Sequence, residues 1–493
     1  MFDVVIIGCG VVGAAAAYEL SRYDLKVAVL ERENDVATGA TKANSAVIHA
    51  GYDPFSGTLM AKLNVEGSRL AGGICEKLDV PFRRCGSLVL AFSGEETREL
   101  ERLLKRGIKN GVPGVEIIAQ PEVRRLEPNL SGGVVAALYA PSAMIVDPWE
   151  YTLAFAETAV RNGAELRLEC DVTGIGETGG YYRLQTTKGP VESRTVLNAA
   201  GLYADVIHNM VAAPSFTILP GKGEYCLMDK SEGALVSRVI FQCPGAAGKG
   251  VLVAPTVHGN LSLGPGSVAA DGPDDAATTA GGLEYVMDSA RKSVPGIDPR
   301  AVIRNFSGNR ARSDRKDFII EEARPGFIDL AGIKSPGLSA APAIAKMAAR
   351  MLEGGGLMLT EKRGFVDSRK RVRFKALAHG ERAELVGRDP AYGRVVCRCE
   401  TVTEGEIRDA LATPVPPRSI DAVKRRCGTG MGRCQGGFCG PHVLDMLAKH
   451  YGCDPTQVSQ DTAGAFVLLS ETKRGGAAGE SKDNMPPGPG RQA

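Results

Sequence analysis

Five of the twelve cysteines in this 493-residue chain lie close together, between Cys397 and Cys439. Cys397 and Cys399 form one close pair, and Cys434, 35 positions after Cys399, forms a second pair with Cys439. Four thiolates in two such pairs can hold a [2Fe-2S] cluster. A structural zinc site is the alternative, but zinc ribbons usually contain CxxC pairs, which this spacing lacks. The remaining cysteine, Cys427, exceeds the four-ligand count, so we expect it to be structural.

A glycine-rich turn near the start of the chain has the spacing of a nucleotide-binding motif. Gly8, Gly10 and Gly13 follow a β-branched run and open an alanine-rich run, and Glu31 follows the next apolar run. Gly8 permits a tight turn, Gly10 lets the backbone approach a pyrophosphate, and Gly13 allows close helix–strand packing. Glu31 can accept hydrogen bonds from ribose hydroxyls. The pattern predicts a dinucleotide site without choosing between FAD and NAD; the alternative is an accidental glycine-rich turn.

A βαβ unit is needed to position these glycines. Phe2 to Ile7 predicts a strand, Val11 to Ser21 a helix, and Val27 to Leu30 a second strand. Alternating strand and helix signals continue to about residue 355, with a helix expected at 95–110 and a strand at 195–198. The predicted fold class is therefore α/β (α+β), with a Rossmann-like nucleotide-binding domain at the start of the chain.

Short strand-like runs become more frequent from Gly223 onward. Glu224 to Met228, Val251 to Ala254 and Leu261 to Gly264 have the character of strands in an antiparallel sheet. Inserted into a dinucleotide-binding fold, such a sheet would form a second lobe that covers a substrate.

Charge and hydropathy limit the partners and the location. The formal net charge is only +2, so no nucleic acid or other polyanion is implied. No run of eighteen or more apolar residues exists, so no transmembrane segment is predicted. The N-terminus lacks the basic region and cleavage site of a secretory signal. Without an export signal, clustered cysteines favour a metal centre over disulfides, and we expect a reducing, cytoplasmic location.

The segment after the glycine motif resembles a known flavoprotein superfamily. Thr38 to Ser45, leading into Val47 to Gly51, is similar to the segment beneath the flavin phosphates and ring in the D-amino-acid-oxidase-like (glycine oxidase) superfamily. Asp171 to Thr173, Asn198 to Gly201 and Ile333 to Ser339 resemble its adenine-contacting strand, the turn that closes the FAD site, and the loop and helix start facing the flavin pyrimidine.

This resemblance implies FAD as the cofactor. A helix N-terminus near the pyrimidine would stabilise negative charge on the reduced ring. The residues then expected to bind FAD are Gly8, Gly10, Gly13, Glu31, Thr41, Asn44, Ser45, Val172, Ala200, Gly201, Gly337, Leu338 and Ser339.

Within that superfamily the chain resembles a bacterial group of glycerol-3-phosphate dehydrogenase-like or L-2-hydroxyglutarate dehydrogenase-like proteins. The resemblance reaches to about residue 472 and is more specific for cofactor and fold than for substrate. The shared segments are Asn44 to Asp53, Gly221 to Tyr225, Pro255 to Pro265, Gly308 to Phe318 and Ala331 to Pro342.

Two residues are the main candidates for contact with a small anionic substrate. His49 is the only histidine inside a flavin-facing motif, so we expect a base or polarising group there; the alternatives are covalent attachment to flavin and a packed core histidine. Arg310 matches the superfamily arginine near the substrate anion, and its planar guanidinium suits carboxylate or phosphate; the alternative is a surface arginine. Lys222 and Tyr225 are weaker candidates, and His258 is expected to be a turn residue.

The sequence around the second cysteine pair resembles a known iron–sulfur domain. Gly430 to Gly436 is similar to the [2Fe-2S] domain related to bacterioferritin-associated ferredoxin, which occurs at the ends of several flavin dehydrogenases. The commoner second pair in that domain is CxxC, and the CxxxxC version resembles the dehydrogenase-attached form. The resemblance implies that the cluster ligands are Cys397, Cys399, Cys434 and Cys439.

Four regions are therefore predicted. Residues 1–355 form the FAD-binding and substrate domain, and residues 356–393 form a basic linker laid over its surface. Residues 394–472 form the small C-terminal [2Fe-2S] domain. Residues 473–493, rich in glycine, proline and charge, are expected to be a disordered tail.

The resemblance implies a dehydrogenase that oxidises sn-glycerol 3-phosphate to dihydroxyacetone phosphate and passes electrons singly through the cluster. A built-in one-electron relay argues against a simple oxidase and implies an electron-accepting subunit or carrier, or a membrane system reached peripherally through a partner. L-2-hydroxyglutarate or a related 2-hydroxy acid is the runner-up substrate. The same motifs are also compatible with amine oxidation, as in sarcosine or proline dehydrogenases, and with a redox-sensing or electron-transfer subunit that turns over no substrate.

Overall fold

A computed structural model describes residues 1–244 and 250–472, so the expected tail at 473–493 lies outside the described residues. The strands are β1 Phe2–Ile7, β2 Val27–Leu30, β3 Val47–Ile48, β4 Phe82–Arg84, β5 Ser87–Ala91, β6 Glu116–Ala119, β7 Ala136–Ala140, β8 Met144–Val146, β9 Glu165–Arg167, β10 Val172–Thr178, β11 Tyr181–Thr186, β12 Val191–Asn198, β13 Ile218–Met228, β14 Val239–Gln242, β15 Leu252–Pro255, β16 Leu261–Gly264, β17 Val302–Ser313, β18 Ile319–Arg324, β19 Phe327–Ala331, β20 Val395–Cys397 and β21 Val402–Thr403.

The helices pack on these strands and also form much of the C-terminal part. They are α1 Val11–Leu20, α2 Leu59–Lys77, α3 Gly94–Asn110, α4 Gln120–Leu126, α5 Pro148–Arg161, α6 Ala204–His208, α7 Ala280–Ser293, α8 Gly337–Gly354, α9 His379–Arg388, α10 Glu404–Leu411, α11 Ile420–Cys427 and α12 Gly440–Tyr451. No helix of the described part of the chain is both long and apolar enough to cross a membrane.

The first sheet confirms the predicted βαβ unit. Its order is β10-β11-β12-β1-β2-β9, with β19 against β12 and β18 against β19, and β1 pairs in parallel with both β2 and β12. α1 packs between α5 and α8 on this sheet. Its buried alanines, Ala14 to Ala17, let neighbouring helices approach closely. The carboxyl ends of β1, β2 and β12 therefore meet at one edge, where an open α/β sheet binds its ligand.

The second sheet confirms the predicted lobe, and it also contains three strands from before residue 141. Its order is β17-β13-β16-β15-β14-β5-β7-β6, so the three predicted runs lie in neighbouring strands β13, β16 and β15. The sequence did not predict that β5, β6 and β7 belong to this sheet, which they join through the parallel pairing of β14 with β5. Such a long-range pairing leaves no signal in local alternation.

The stretch predicted as a linker, 356–393, lies against the first domain and contains helix α9. Arg369 is buried there, with its Nε 2.6 Å from Glu157 Oε2 and its Nη1 3.3 Å from Glu150 Oε2, both on α5. Arg373 Nη2 also lies 3.0 Å from Glu150 Oε2. Because a buried cation needs a paired anion, these contacts hold the stretch in one place.

The C-terminal residues form a small unit with its own core. Strands β20 and β21 pair antiparallel, and helices α10, α11 and α12 bury one apolar cluster with them. The core includes both Cys397 and Cys439 and is completed by Val402, Ile407, Val423, Val443 and Leu447.

One buried carboxylate joins this unit to the nucleotide-binding domain. Asp35 Oδ1 lies 2.8 Å from Arg426 Nη2, and Asp35 Oδ2 lies 2.9 Å from Arg425 Nη2, both on α11. Burial alone would raise the pKa of Asp35, but the two guanidiniums hold it below its usual range. Arg425 also pairs with Asp461 at 2.7 Å, and Asp461 pairs with Lys42 at 2.9 Å. The junction is therefore a continuous series of ion pairs between the two units, which ends at Arg426 on one side and at Lys42 on the other.

We expect Asp35→Asn to lower the free energy of unfolding by about 3–5 kcal/mol, because it leaves the buried guanidinium of Arg426 without its anion and removes one of the two carboxylates that pair with Arg425. Chemical denaturation followed by circular dichroism measures the change. The control is Asp298→Asn, which removes an exposed partner of Arg300 and should leave stability unchanged. Equal stability of the Asp35 variant and the wild type would show that the network does not hold the two units together.

Candidate functional site

Two of the three glycines in the predicted dinucleotide turn have no room for a side chain. A Cβ on Gly8, where φ is +95°, would lie 2.6 Å from the carbonyl oxygen of Ala199. A Cβ on Gly13 would lie 2.0 Å from the carbonyl oxygen of Gly8. Gly10 is the N-cap of α1, and because it has no side chain, a ligand can approach the backbone at the start of the helix. This cradle brings together two predicted segments, Gly8–Gly13 and Asn198–Gly201, and fits a pyrophosphate.

Glu31 lies at the end of β2, beside this cradle. Its Oε2 accepts a hydrogen bond from the Cys9 backbone N–H at 2.7 Å, and its Oε1 accepts one from the Glu33 N–H at 3.0 Å. Burial raises the pKa of Glu31 to about 7, against the two backbone donors, which lower it. Each oxygen keeps further lone pairs, so the carboxylate is placed to accept ribose hydroxyls.

The segment predicted to run beneath the flavin lies between α1 and the second sheet. Thr41 Oγ1 accepts a hydrogen bond from the Val11 N–H at the start of α1, at 3.0 Å. Asn44 shapes the turn by donating to the Thr41 carbonyl at 2.7 Å and accepting from the Ala46 N–H at 2.8 Å. On the other side, a Cβ on Gly308 of β17 would lie 2.0 Å from the Ala43 carbonyl oxygen. The lobe therefore meets this segment backbone to backbone.

The remaining predicted FAD residues lie on three other elements of the first domain. Val172 is buried at the start of β10, and Ala200 and Gly201 follow β12, with Gly201 at φ +59°. Gly337 and Leu338 begin α8, whose N-terminus has no side-chain cap. An uncapped helix N-terminus offers positive charge to an anionic ring.

The backbone of His49 is held from both sides. Its N–H donates to the Ser339 hydroxyl of α8 at 2.8 Å, and its carbonyl accepts from Asn64 Nδ2 of α2 at 2.7 Å. Its half-buried ring lies 5.8 Å from the ring of Phe241 on β14. His49 therefore lies at the interface of the flavin-binding elements and the lobe. Sequence reasoning missed Asn64 and Phe241, because neither belongs to a motif.

Arg310, on β17, lies beside Tyr225 and Ser45. Its guanidinium donates a hydrogen bond to the Tyr225 hydroxyl, and that hydroxyl is 3.3 Å from Ser45 Oγ. Burial raises the pKa of Tyr225, and the positive charge of Arg310 opposes the increase. The Tyr225 ring stacks on Phe306 at 4.7 Å, which fixes its position. The structure thus joins two substrate candidates and one predicted flavin contact.

Arg310 differs from neighbouring cations in its partners. Among the described residues no carboxylate lies within ion-pair distance of Arg310, and the contacts of its guanidinium are with neutral groups, the Tyr225 hydroxyl and the Gly266 carbonyl, the latter at 3.5 Å. Lys222 instead pairs with Asp275 at 2.6 Å, and Arg315 pairs with Glu321 at 2.8 Å. Arg310 is therefore the stronger candidate for contact with an external anion, and Lys222 is the weaker one.

His258 is occupied by a structural contact. It lies in the turn between β15 and β16, as expected, and its Nε2 is 2.8 Å from Asp147 Oδ2. Asp147 is the N-cap of α5 and accepts from the Trp149 and Glu150 N–H groups. This histidine therefore ties the lobe to the start of α5.

The four predicted cluster cysteines form two contacting pairs. Each pair joins one cysteine of the first sequence pair with one cysteine of the second. Cys399 Sγ lies 3.6 Å from Cys434 Sγ. The Cys439 thiol donates to Cys397, which lowers the pKa of Cys397 to about 6 and raises that of Cys439. Within the described residues no group of three or more His, Cys, Asp or Glu side chains is arranged to hold a single metal ion.

Backbone N–H groups surround these sulfurs. Gly430 donates towards both Cys397 and Cys439, and Gly436 and Phe438 donate towards Cys434. Gly430 and Gly436 have φ values of +75° and +90°, a conformation that favours glycine. Four thiols in two contacting pairs, with N–H donors aimed at them, fit a [2Fe-2S] cluster. Cys427 belongs to neither pair and donates to the Val423 carbonyl at 3.3 Å.

This fold and this pair of sites define an FAD-dependent oxidoreductase that carries a [2Fe-2S] domain. The chain belongs to the FAD dependent oxidoreductase (DAO) family, which matches residues 3–351. Residues 395–449 match the BFD-like [2Fe-2S] binding domain. The predicted family, fold class and cofactors are therefore confirmed.

Relatives extend this similarity along the chain. A glycerol 3-phosphate dehydrogenase of Caloramator mitchellensis is 48% identical over 96% of this chain and 99% of that protein. The structure of an L-alpha-glycerophosphate oxidase from Mycoplasma pneumoniae with FAD bound has a TM-score of 0.71 at 32% identity, covering 74% of this chain and 98% of that one. The human mitochondrial L-2-hydroxyglutarate dehydrogenase is 34% identical over 55% of this chain and 61% of that protein.

We expect Cys434→Ala to abolish the iron–sulfur absorption while FAD stays bound, because one of four ligands is lost and the flavin site lies on other elements. Iron analysis and the visible spectrum of the purified protein measure both cofactors. Cys453→Ala, outside the cysteine pairs, is the matched control and should keep both. A full iron content in the Cys434 variant would remove that residue from the ligand set.

Proposed function

We propose that the protein oxidises sn-glycerol 3-phosphate to dihydroxyacetone phosphate. The observation that carries this proposal is Arg310, a guanidinium without a carboxylate partner among the described residues, beside the segment predicted to lie beneath the flavin. A phosphate is an anion that such a group binds well. The relatives support it, since the glycerol 3-phosphate dehydrogenase of Caloramator mitchellensis resembles this chain over nearly its full length.

Each candidate side chain has one role in this reaction. Arg310 and the Tyr225 hydroxyl bind the phosphate and orient the substrate over the Thr41–Ser45 segment. An imidazole nitrogen of His49 takes the proton of the substrate hydroxyl. Bound FAD supplies the hydride acceptor. The Ser339 and Asn64 contacts to the His49 backbone limit its movement and position the ring.

We assign the cofactors to the residues predicted for them. FAD is held by Gly8, Gly10, Gly13, Glu31, Thr41, Asn44, Ser45, Val172, Ala200, Gly201, Gly337, Leu338 and Ser339. The cluster is held by Cys397, Cys399, Cys434 and Cys439. The proposed domain bounds are 1–355, 394–472 and, between them, the linker 356–393. Electrons leave through the cluster to a protein acceptor in the cytoplasm, and any membrane contact is peripheral and made through that partner.

Anaerobic reduction of the flavin by candidate substrates tests this proposal. Glycerol 3-phosphate alone should bleach the flavin absorption of the purified protein. Bleaching by L-2-hydroxyglutarate or by an amine such as sarcosine or proline, but not by glycerol 3-phosphate, would replace the proposed substrate. No bleaching by any of them would favour a subunit that binds FAD without turnover.

Arg310→Ala should raise KM for glycerol 3-phosphate by about 10- to 100-fold, because charge-assisted hydrogen bonds to the phosphate are lost. FAD content should not change. Steady-state kinetics with a dye acceptor measure the effect. Arg324→Ala on β18, whose guanidinium contacts the Val211 carbonyl, is the control of equal charge change. An unaltered KM in the Arg310 variant would exclude it from the site.

His49→Asn should lower kcat by about 100-fold or more with a smaller effect on KM, because the proton acceptor is lost. Rapid-reaction measurement of flavin bleaching isolates this step. Acid precipitation of the wild type should release the flavin into the supernatant. Flavin that remains with the pellet would instead establish covalent attachment, and a kcat equal to that of the wild type would leave His49 with a packing role.

A further inference from the structure

The two cysteine pairs differ in exposure. Cys397 and Cys439 are buried in the core of the C-terminal unit, whereas Cys399 and Cys434 are exposed. A cluster held by these four cysteines would have its Cys399 and Cys434 ligands on the solvent side. An electron leaving the protein crosses the shortest distance there.

An aromatic ring and two arginines border this exposed pair. Phe438, next to Cys439, is 58% exposed, and the guanidinium of Arg398 lies 4.8 Å above its ring. Arg433, next to Cys434, is also exposed. We call the surface formed by Arg398, Arg433 and Phe438 the cluster face. Aromatic and arginine side chains are enriched at protein interfaces, so this composition is typical of a docking surface.

The charged side chains of the cluster face, Arg398 and Arg433, are both positive. Glu400 is the only acid within residues 394–403 and 428–440. It is buried, and Lys230 and Lys375 both pair with it, at 2.7 and 3.1 Å. Arg304 adds a further exposed cation, which contacts Gln435 at 3.0 Å. Since the whole chain carries a net charge of only +2, this excess of positive charge is local.

We propose that the cluster face docks a small acidic protein that carries one electron. This proposal rests on the proposed function, in which electrons leave through the cluster. At each docking the cluster gives up one electron and the carrier gains it, and no proton moves. Two carriers must dock in succession for each substrate oxidised, so the complex must form and separate quickly. Electrostatic steering by opposite charges gives such fast, transient association.

An acidic blue-copper protein serves as the probe. The enzyme is reduced with stoichiometric dithionite, rather than with substrate, so failure of the proposed substrate does not affect the result. The rate at which Cu(II) is reduced, followed by stopped-flow absorption, should fall at least tenfold between 20 and 200 mM salt (about the range over which exposed charges become screened). A rate that does not depend on salt would overturn the proposal.

The charge-reversed variant Arg398→Glu/Arg433→Glu should reduce the copper protein at least tenfold more slowly at low salt. The control is Arg102→Glu/Arg125→Glu, which changes the net charge equally at two exposed arginines far along the chain from the cluster face. It should keep the wild-type rate. Visible absorption checks that each variant retains its cluster; if the first variant loses it, Arg304→Glu tests the same surface. An equal loss in variant and control would contradict the proposal.

Phe438→Ala offers a test without charge change. The chain provides a matched control in Phe55, which is 71% exposed and also lies under an arginine, Arg106, at 4.4 Å. Fluorescence anisotropy of labelled Cu(I) protein with oxidised enzyme measures binding apart from electron transfer. Kd should rise several-fold for Phe438→Ala and stay constant for Phe55→Ala. Equal Kd values for both variants would remove the ring from the interface.

Two further probes distinguish an acidic carrier from a basic carrier and from an anionic membrane at the cluster face. A basic cytochrome c should be reduced faster by the Arg398→Glu/Arg433→Glu variant than by the wild type, because the charge relation is inverted. Vesicles containing anionic lipid should bind the wild type no better than they bind this variant. Slower reduction of the cytochrome by the variant, or vesicle binding that depends on the two arginines, would overturn docking of an acidic carrier.

Discussion

The buried carboxylate of Asp35 is the contact on which the two-cofactor arrangement depends. It lies four positions after Glu31, on the loop that continues to the segment predicted to lie beneath the flavin, and the Ala37 N–H of this loop donates to the Cys9 carbonyl. Through Arg425 and Arg426, α11 of the iron–sulfur unit is therefore attached to the nucleotide-binding turn itself. The three side chains are buried, so an arginine that moved away from Asp35 would lose its ion pair without gaining contact with water. This cost favours one relative position of the two units.

The second sheet imposes a similar constraint on the substrate side. β17 passes Ala43 so closely that only glycine fits at position 308, and the same strand carries Arg310 at the proposed substrate site and Arg304, which contacts Gln435 next to Cys434. One strand thus contacts the segment predicted to lie beneath the flavin, the proposed phosphate site and the C-terminal unit. Its long antiparallel pairing with β13 keeps these three positions in fixed register.

Much of the fold could be predicted because its signals are local. The glycine turn, α1, and the strands β13, β15 and β16 follow from residue types within a few positions of one another. The parallel pairing of β14 with β5 joins residues about 150 positions apart, and local patterning contains no record of it. Helix α9 within the predicted linker was missed for a different reason, since none of its residues is buried and most of them are polar or glycine.

The sequence by itself determined the chemistry that this protein contains: a glycine-rich nucleotide turn, an acid after β2, and two cysteine pairs. Short-range spacing specifies these features, because a turn or a close pair of ligands needs only neighbouring residues. The tertiary structure decided which charges are available. Lys222 and His258 are in contact with Asp275 and Asp147, whereas Arg310 faces no carboxylate among the described residues. It also decided that Cys399 and Cys434 are exposed while their partners are buried, because exposure depends on the packing of distant helices.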